Sequence, residues 1–154
     1  MKSWEQRILD LLNRSESDPA FHKFLDDLRL LNSPVTFESK DSMSQYDFAE
    51  VGVSLHLLNS RIWSATFSFD SYVNDMPFGI PKKALRDDVH EILGPPSIVT
   101  KVPLPFTERY KSESHELEEF SVTCFYLIPG DKLYSMTVHR QDFLYSHGVP
   151  HGPS

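Results

Sequence analysis

Two neighbouring stretches with apolar side chains at every second position constrain this chain more than any other feature of its sequence. They are "VGVSLHLL" (residues 51–58) and "RIWSATFSF" (residues 61–69). The alternating apolar residues are Val51, Val53, Leu55 and Leu57 in the first, and Trp63, Ala65, Phe67 and Phe69 in the second. A period of two is typical of a β-strand with one buried face. The sequence therefore predicts a β-hairpin over residues 51–69.

The length of the hairpin loop decides whether the two apolar sets share a face. A two-residue loop, residues 59–60, pairs Leu57 with Ile62 and places the sets on opposite faces. A three-residue loop, residues 58–60, pairs Leu57 with Arg61 and joins them. We therefore predict the three-residue loop.

Apolar residues at helical spacing predict three helices. The first covers residues 3–13, and the second covers residues 19–31, where Asp18 precedes a proline at the first helical position. The third begins near Pro81 and ends at Gly94, which is expected to have a positive φ angle. The residues of this helix that are predicted to pack against the sheet are Leu85, Val89, Ile92 and Leu93. Its charged side chains are interpreted as a solvated face: Lys82, Lys83, Arg86, Asp87, Asp88 and Glu91.

The remaining segments predict further strands. Residues 35–39 are predicted to form a short strand, and the polar residues 40–47 a loop. The stretch that starts at residue 97 begins like a strand, but prolines at 103 and 105 confine it to a sheet edge or end the strand early. Residues 120–140 predict a second hairpin, which turns at Pro129, Gly130 and Asp131.

This order of elements indicates an α+β protein. We predict an antiparallel β-sheet of about five to six strands, covered by two N-terminal helices and one central helix. Residues 1–146 are predicted to form one domain and residues 147–154 a flexible tail, a size that suits a single hydrophobic core.

Charge and cysteine content limit the classes of function. A formal net charge of -7 argues against nucleic-acid binding, because phosphate contacts require clustered basic residues. No apolar run approaches the roughly 20 residues that a bilayer-spanning helix needs, and the N-terminal stretch "MKSWEQRILDLL" has acidic residues where a secretory signal would be uninterrupted and apolar. The single cysteine, Cys124, lies in a strand-like run and is interpreted as a core residue. We therefore expect a cytoplasmic protein without a membrane partner.

The sequence contains no spacing that specifies a reaction. Seven histidines are present, but His90 and the other internal ones are far from one another in sequence, and Gly148 and Pro150 separate His147 from His151. Carboxylates are plentiful, yet adjacency along the chain does not place them across a cleft. We predict no catalytic, cofactor-binding or metal-binding residues. A small enzyme with a carboxylate/histidine site is kept as an alternative.

The stretch "YVNDMPFGIPKKALRDDVHEILGPPS" (residues 72–97) resembles a motif of small bacterial immunity proteins of contact-dependent or type VI toxin systems. In that motif an aromatic turn leads to Leu-Pro-x-Gly-Leu, and a short helix follows that ends in Leu-Gly-x-Pro. The matching residues are Tyr72, Met76, Pro77, Gly79, Ile80, Val89, Leu93, Gly94 and Pro96. The helix is also similar to that of β-lactamase-inhibitor proteins and of small outer-membrane-assembly lipoproteins. The sequence departs from the motif at the helix start, where Pro81 is followed by two lysines.

The resemblance implies a non-enzymatic protein that binds and neutralises a cognate toxin, with no cofactor. An acidic chain suits a basic toxin or effector domain, and the polar segment of residues 107–120 is predicted to be a loop or strand end that meets it. The predicted partner-binding residues are Glu108, Tyr110, Glu113, Glu116, Glu118 and Glu119. An adaptor or structural role is the other alternative.

Overall fold

The protein's structure, a computed structural model, describes residues 3–30, 35–69, 77–103, 109–128 and 130–142. Within these ranges the chain forms three α-helices, one 3-10 turn (Pro77–Gly79) and eight β-strands. The helices are α1 (Trp4–Leu11), α2 (Pro19–Leu30) and α3 (Arg86–Leu93). The strands are β1 (Thr36–Lys40), β2 (Met43–Phe48), β3 (Val53–Leu58), β4 (Arg61–Ser68), β5 (Ile98–Pro103), β6 (Arg109–Glu116), β7 (Phe120–Ile128) and β8 (Lys132–Arg140). None of the described helices is both long enough and apolar enough to cross a bilayer.

All eight described strands form one antiparallel sheet in the order β1-β2-β3-β4-β8-β7-β6-β5. The predicted α+β class is confirmed, and the proline-containing β5 lies at an edge as predicted. The prediction of five to six strands is wrong, because residues 40–47 contain most of β2 and residues 107–120 contain β6. β2 looks polar in sequence because half of its side chains belong to a polar face of the sheet, and β6 because its core-facing Glu113 and His115 are polar as well.

The β3–β4 hairpin shows how the sheet keeps its apolar residues together. The three-residue loop predicted above is wrong, because Leu57 pairs with Ile62 across a two-residue turn. Both turn residues, Asn59 (φ 51°) and Ser60 (φ 65°), have the left-handed conformation that matches the twist of a tight hairpin. A bulge next to Trp63 then shifts the register, so Leu55 pairs with Ala65. The bulge therefore restores the shared apolar face that we expected a longer loop to provide.

The β7–β8 hairpin also has a bulge in the strand that follows its turn. Tyr126 pairs with Leu133 near the turn, whereas Cys124 pairs with Met136 beyond a bulge. The extra residue is Tyr134, whose side chain is exposed. The turn lies where the sequence predicts it, and Pro129 itself is outside the described residues.

One face of the sheet carries the hydrophobic core. Its buried side chains include Leu55, Phe67, Val122, Met136 and Val138, all on the same side by their pairing. Helix α2 packs on this face, where Phe21 and Phe24 make edge-to-face contacts with Tyr46 and Phe48. Helix α1 joins the same cluster through Ile8 and Leu11.

The opposite face, which we call the polar face, is lined by serine, threonine and histidine. One cross-strand row runs through Asp47, Ser54, Thr66, Thr137, Thr123 and Ser114. Neighbours in this row are hydrogen-bonded between Ser54 and Asp47 (2.6 Å), Thr66 and Thr137 (3.0 Å), and Ser114 and Thr123 (3.1 Å). The contacts of α1 and α2 given above all lie on the core face. The sheet is therefore apolar on one face and hydroxyl-rich on the other.

Helix α3 starts later than its sequence predicts. Leu85 lies before the helix, where its backbone bridges to Lys132 and its N–H donates to the Asp88 carboxylate at 2.9 Å. The predicted apolar side is thus only half right. Val89 is buried and Leu93 packs against the core, whereas Leu85 and Ile92 are 50% and 43% exposed. Gly94 has the predicted positive φ angle, 86°.

We expect Gly94→Ala to lower the free energy of unfolding by about 1–3 kcal/mol, because φ 86° with ψ 179° is a conformation that almost only glycine adopts. An added Cβ would meet no atom within 4 Å, so the cost would come from backbone strain. Urea denaturation measures it. Ile92→Ala, two residues away on the exposed side, should stay within about 0.5 kcal/mol of the parent. Equal stability of Gly94→Ala and the parent would contradict the strain argument.

Two histidines of the polar face make stability depend on pH. Burial lowers the pKa of His56 and of His139 below 6.5, although Asp47 and Glu116, respectively, act in the opposite direction. Below pH 6.5 the unfolded chain therefore binds protons at these positions that the folded chain does not bind. It follows that stability rises with pH in this window.

We expect the free energy of unfolding to increase between pH 5 and pH 7, with at most about 1.4 kcal/mol per pH unit from each histidine. The double variant His56→Gln/His139→Gln should have a smaller increase, measured by urea denaturation across this range. His22→Gln, on the exposed side of α2, serves as the control. An unchanged pH slope in the double variant would exclude these two side chains as its source.

Candidate functional site

A fully buried carboxylate lies between α3 and the sheet. Glu113 is 0% exposed, because strand alternation points it and His115 to the core face, toward α3. The polar residues Ser112 and Ser114 take the other face. A charged side chain at a core position is rare unless partners compensate it.

Two side chains of α3 compensate Glu113. Arg86 Nε donates to its Oε2 at 2.8 Å, and His90 Nε2 lies 2.6 Å from its Oε1. Arg86 and His90 are four residues apart, so one side of the helix presents both. Burial by itself would raise the pKa of Glu113, but the hydrogen bonds from His90 and Arg86 outweigh it and hold the pKa below its usual value.

His115 extends this group to a buried cluster of His90, Glu113 and His115. His115 is 1% exposed, and neither ring nitrogen makes a well-formed hydrogen bond with the described residues, although the Gly94 backbone interacts with the ring. Its ring lies 5.7 Å from that of His90, centroid to centroid. Burial and the neighbouring His90 lower the pKa of His115, against the opposing effects of Glu113 and the Gly94 backbone. The ring is therefore held neutral.

The cluster continues along the core face into apolar surroundings. Cys124 pairs with Glu113 across the strands and is buried, as its sequence context predicts. Burial raises the pKa of its thiol to about 12, so the thiol stays protonated and unreactive. Burial also raises the pKa of Tyr126, whose hydroxyl interacts with the Cys124 thiol.

This cluster is not predicted from the sequence. His90 and His115 are 25 positions apart, and Arg86 belongs to the predicted solvated face of its helix. The signal in the sequence was the alternation in "SESHE", residues 112–116, which places Glu113 and His115 on one side of a strand. Recognising it required β6 to be identified as a strand.

The structure separates the six predicted partner-binding residues. Glu113 is buried, so the prediction that it contributes to an exposed acidic segment is wrong, because β6 turns its side chain to the core. Glu116, Glu118 and Glu119 are exposed at the turn between β6 and β7. Glu108 and the side chain of Tyr110 lie outside the described part of the chain.

These three glutamates form what we call the acidic corner. A depression of about 330 Å³ lies beside them, lined by Glu118, Glu119, Arg140, Gln141 and Asp142. The Gln141 side chain holds the turn, since its Nε2 donates to the Leu117 carbonyl at 2.7 Å and to Glu116 Oε2 at 2.9 Å. The backbone that carries the glutamates is therefore fixed by side-chain contacts.

Comparisons with known proteins identify a fold and no family. The structure is similar to that of an extracellular protein containing an SCP domain from Bacillus anthracis str. Ames, with a TM-score of 0.57 and 11% identity over 94% of this chain and 49% of that one. The chain thus spans about half of that protein. It also has a weak likeness, which supports no argument, to a DUF4309 family protein (YjgB) from Bacillus subtilis subsp. subtilis str. 168, with a TM-score of 0.41 and 11% identity over 75% and 76% of the two chains. No protein-family model and no curated protein matches the sequence.

We expect Arg86→Met to lower the free energy of unfolding by about 3 kcal/mol. The measurement is made with a chelator present, so that bound metal ions do not contribute to stability. The substitution leaves the buried Glu113 charge with His90 alone, and 30% exposure of Arg86 favours the lower end of the range for breaking a buried pair. Arg29→Met is the matched control, because Arg29 and Asp26 form an exposed pair worth less than about 1 kcal/mol. Equal urea midpoints for the two variants would show that the buried pair stabilises the fold no more than the exposed pair does.

Proposed function

We propose that this chain is a non-enzymatic cytoplasmic protein-binding module of the immunity type, which neutralises a basic toxin or effector domain. The observation that carries the proposal is the acidic corner, where two of the three exposed glutamates, Glu118 and Glu119, line a depression on a turn that Gln141 holds. The resemblance of residues 72–97 to immunity proteins supports the same role.

The geometry of the acidic corner suits a basic side chain. The backbone of a turn that is already fixed does not have to be ordered on binding, which reduces the entropic cost of association. Glu118 and Glu119 line the depression, and a net charge of -7 adds long-range attraction for a basic partner. Loops and turns on a rigid sheet are frequent sites of recognition.

The partner would be found by affinity capture from the native cell. We expect one stable, basic protein whose toxicity in a test strain is relieved by co-expression of this chain. Recovery of an acidic partner, or failure of co-expression to protect, would contradict the proposal.

With the captured partner, we expect Glu118→Gln/Glu119→Gln to slow association roughly tenfold at low ionic strength, because charges at the rim of an interface act mainly on the association rate. Stopped-flow measurements at several salt concentrations give this rate. Glu50→Gln/Glu91→Gln removes the same charge from exposed positions elsewhere and should have a much smaller effect. Equal rates for the two double variants would exclude the acidic corner from the interface. Thermal melting should be nearly unchanged in both.

A small enzyme with a carboxylate/histidine site is the second candidate, and the observation that favours it is the His90–Glu113–His115 cluster. A glutamate beside two histidines provides groups for proton transfer. His90 gives this cluster its contact with solvent, because its side chain is 25% exposed. Loss of a catalysed reaction in His90→Gln would distinguish this role from simple anchoring of α3.

A further inference from the structure

The His90–Glu113–His115 cluster has the donor set of a transition-metal site. The candidate ligand atoms of all three side chains lie within 4.8 Å of one another. Around one Zn²⁺ ion, with bonds of about 2.0–2.2 Å, tetrahedral ligand atoms lie on the order of 3.3 Å apart. Small side-chain movements would therefore bring the three donors to one ion.

We propose that His90, Glu113 and His115 bind one divalent first-row transition-metal ion, for which Zn²⁺ is the best match, and that this ion links α3 to β6. Two imidazoles and one carboxylate are a ligand set that zinc sites use, whereas Mg²⁺ and Ca²⁺ prefer sites made of oxygen atoms. The inference is independent of the proposed partner.

The incompletely partnered ring of His115 is a second, independent observation for this site. Buried polar atoms are almost always hydrogen-bonded, yet the Gly94 backbone can reach only one nitrogen of this 1% exposed side chain, so at least one ring nitrogen has no partner in the described chain. A bond from one nitrogen to a metal ion would satisfy that atom. Glu113 and His115 lie two positions apart on β6, so the strand itself aims both donors at α3.

Arg86 does not block the site, because it uses only one oxygen of the carboxylate. It donates to Oε2 at 2.8 Å, and Oε1 is paired with His90 Nε2. Opening this second hydrogen bond frees both of its atoms to bind the same ion, while Arg86 continues to orient the carboxylate. Ligands that are themselves hydrogen-bonded in this way are usual at metal sites.

Three protein ligands leave a fourth position of a tetrahedral ion for water or another small ligand. His90 keeps 25% exposure, whereas Glu113 is fully buried, so solvent reaches the cluster from the α3 side. The ion should therefore exchange with the medium and be removable by a chelator.

The test is calorimetric titration of Zn²⁺ into the full chain, purified with EDTA and freed of any affinity tag. We expect one equivalent of Zn²⁺ to bind and the melting temperature to rise, with no comparable effect of Mg²⁺. Co²⁺ should bind with the visible absorption of a tetrahedral site. His115→Gln and His90→Gln should each weaken Zn²⁺ binding about 100-fold or more, since loss of an outer-shell partner alone typically costs 10–100-fold.

Two control variants separate this site from the other histidines. His139→Gln changes a histidine of the polar face, and His147→Gln/His151→Gln removes the C-terminal pair, so both should bind Zn²⁺ like the parent. Absence of saturable Zn²⁺ binding would overturn the proposal, as would parental affinity in His115→Gln or loss of binding in the C-terminal double variant. Circular dichroism verifies that each variant is folded. If His115→Gln does not fold, the partly exposed His90→Gln decides the question.

Discussion

Each face of the sheet has its character only because neighbouring strands keep a fixed register. Since side chains alternate, a slip of one residue would move the apolar set of a strand into the polar row and its serines and threonines into the core. Two hairpins secure this register with a tight turn followed by a bulge, next to Trp63 in β4 and at Tyr134 in β8. Each turn sets which residues pair close to it. The bulge then shifts the pairing by one residue, so that the apolar side chains of both strands lie on one face. The apolar face against which the helices pack therefore depends on these two bulges.

The buried carboxylate is a product of the same register. The pairing of β6 with β7 that turns Ser114 toward Thr123 on the polar face also turns Glu113 and His115 inward. The buried Glu113 carboxylate requires compensating partners on the core face, and α3 supplies Arg86 and His90. The place of α3 on the sheet is therefore specified by polar contacts as well as by burial of Val89. Such contacts are directional, so they fix the position of a helix that has few apolar side chains.

The strongly patterned elements could be predicted from sequence. α1, α2, β3 and β4 could be predicted from periodicity, the C-terminal hairpin from two apolar runs around a turn, and the helix end at Gly94 from the prolines after it. β2 could not be recognised in this way, because the half of it on the polar face looks like a loop, and β6 could not because even its core-facing residues Glu113 and His115 are polar. Missing β6 also meant missing the site, since the proximity of Glu113 and His90 is a tertiary fact that only the fold creates. Of the acidic segment, the exposure of Glu116, Glu118 and Glu119 agrees with the expectation from sequence, and the burial of Glu113 does not.

The order of the strands also bears on how fast the chain reaches this structure. β1 to β4 are consecutive neighbours, and so are β5 to β8, so each half can assemble through local contacts. Among the described strands only β4 and β8 pair across the two halves, and the hydrogen bond between Thr66 and Thr137 spans 71 positions. Closing so long a loop costs entropy before any contact compensates it. Docking of the two meanders at this seam is therefore the expected slow step of folding, on the millisecond-to-second scale of proteins rich in non-local strand pairs.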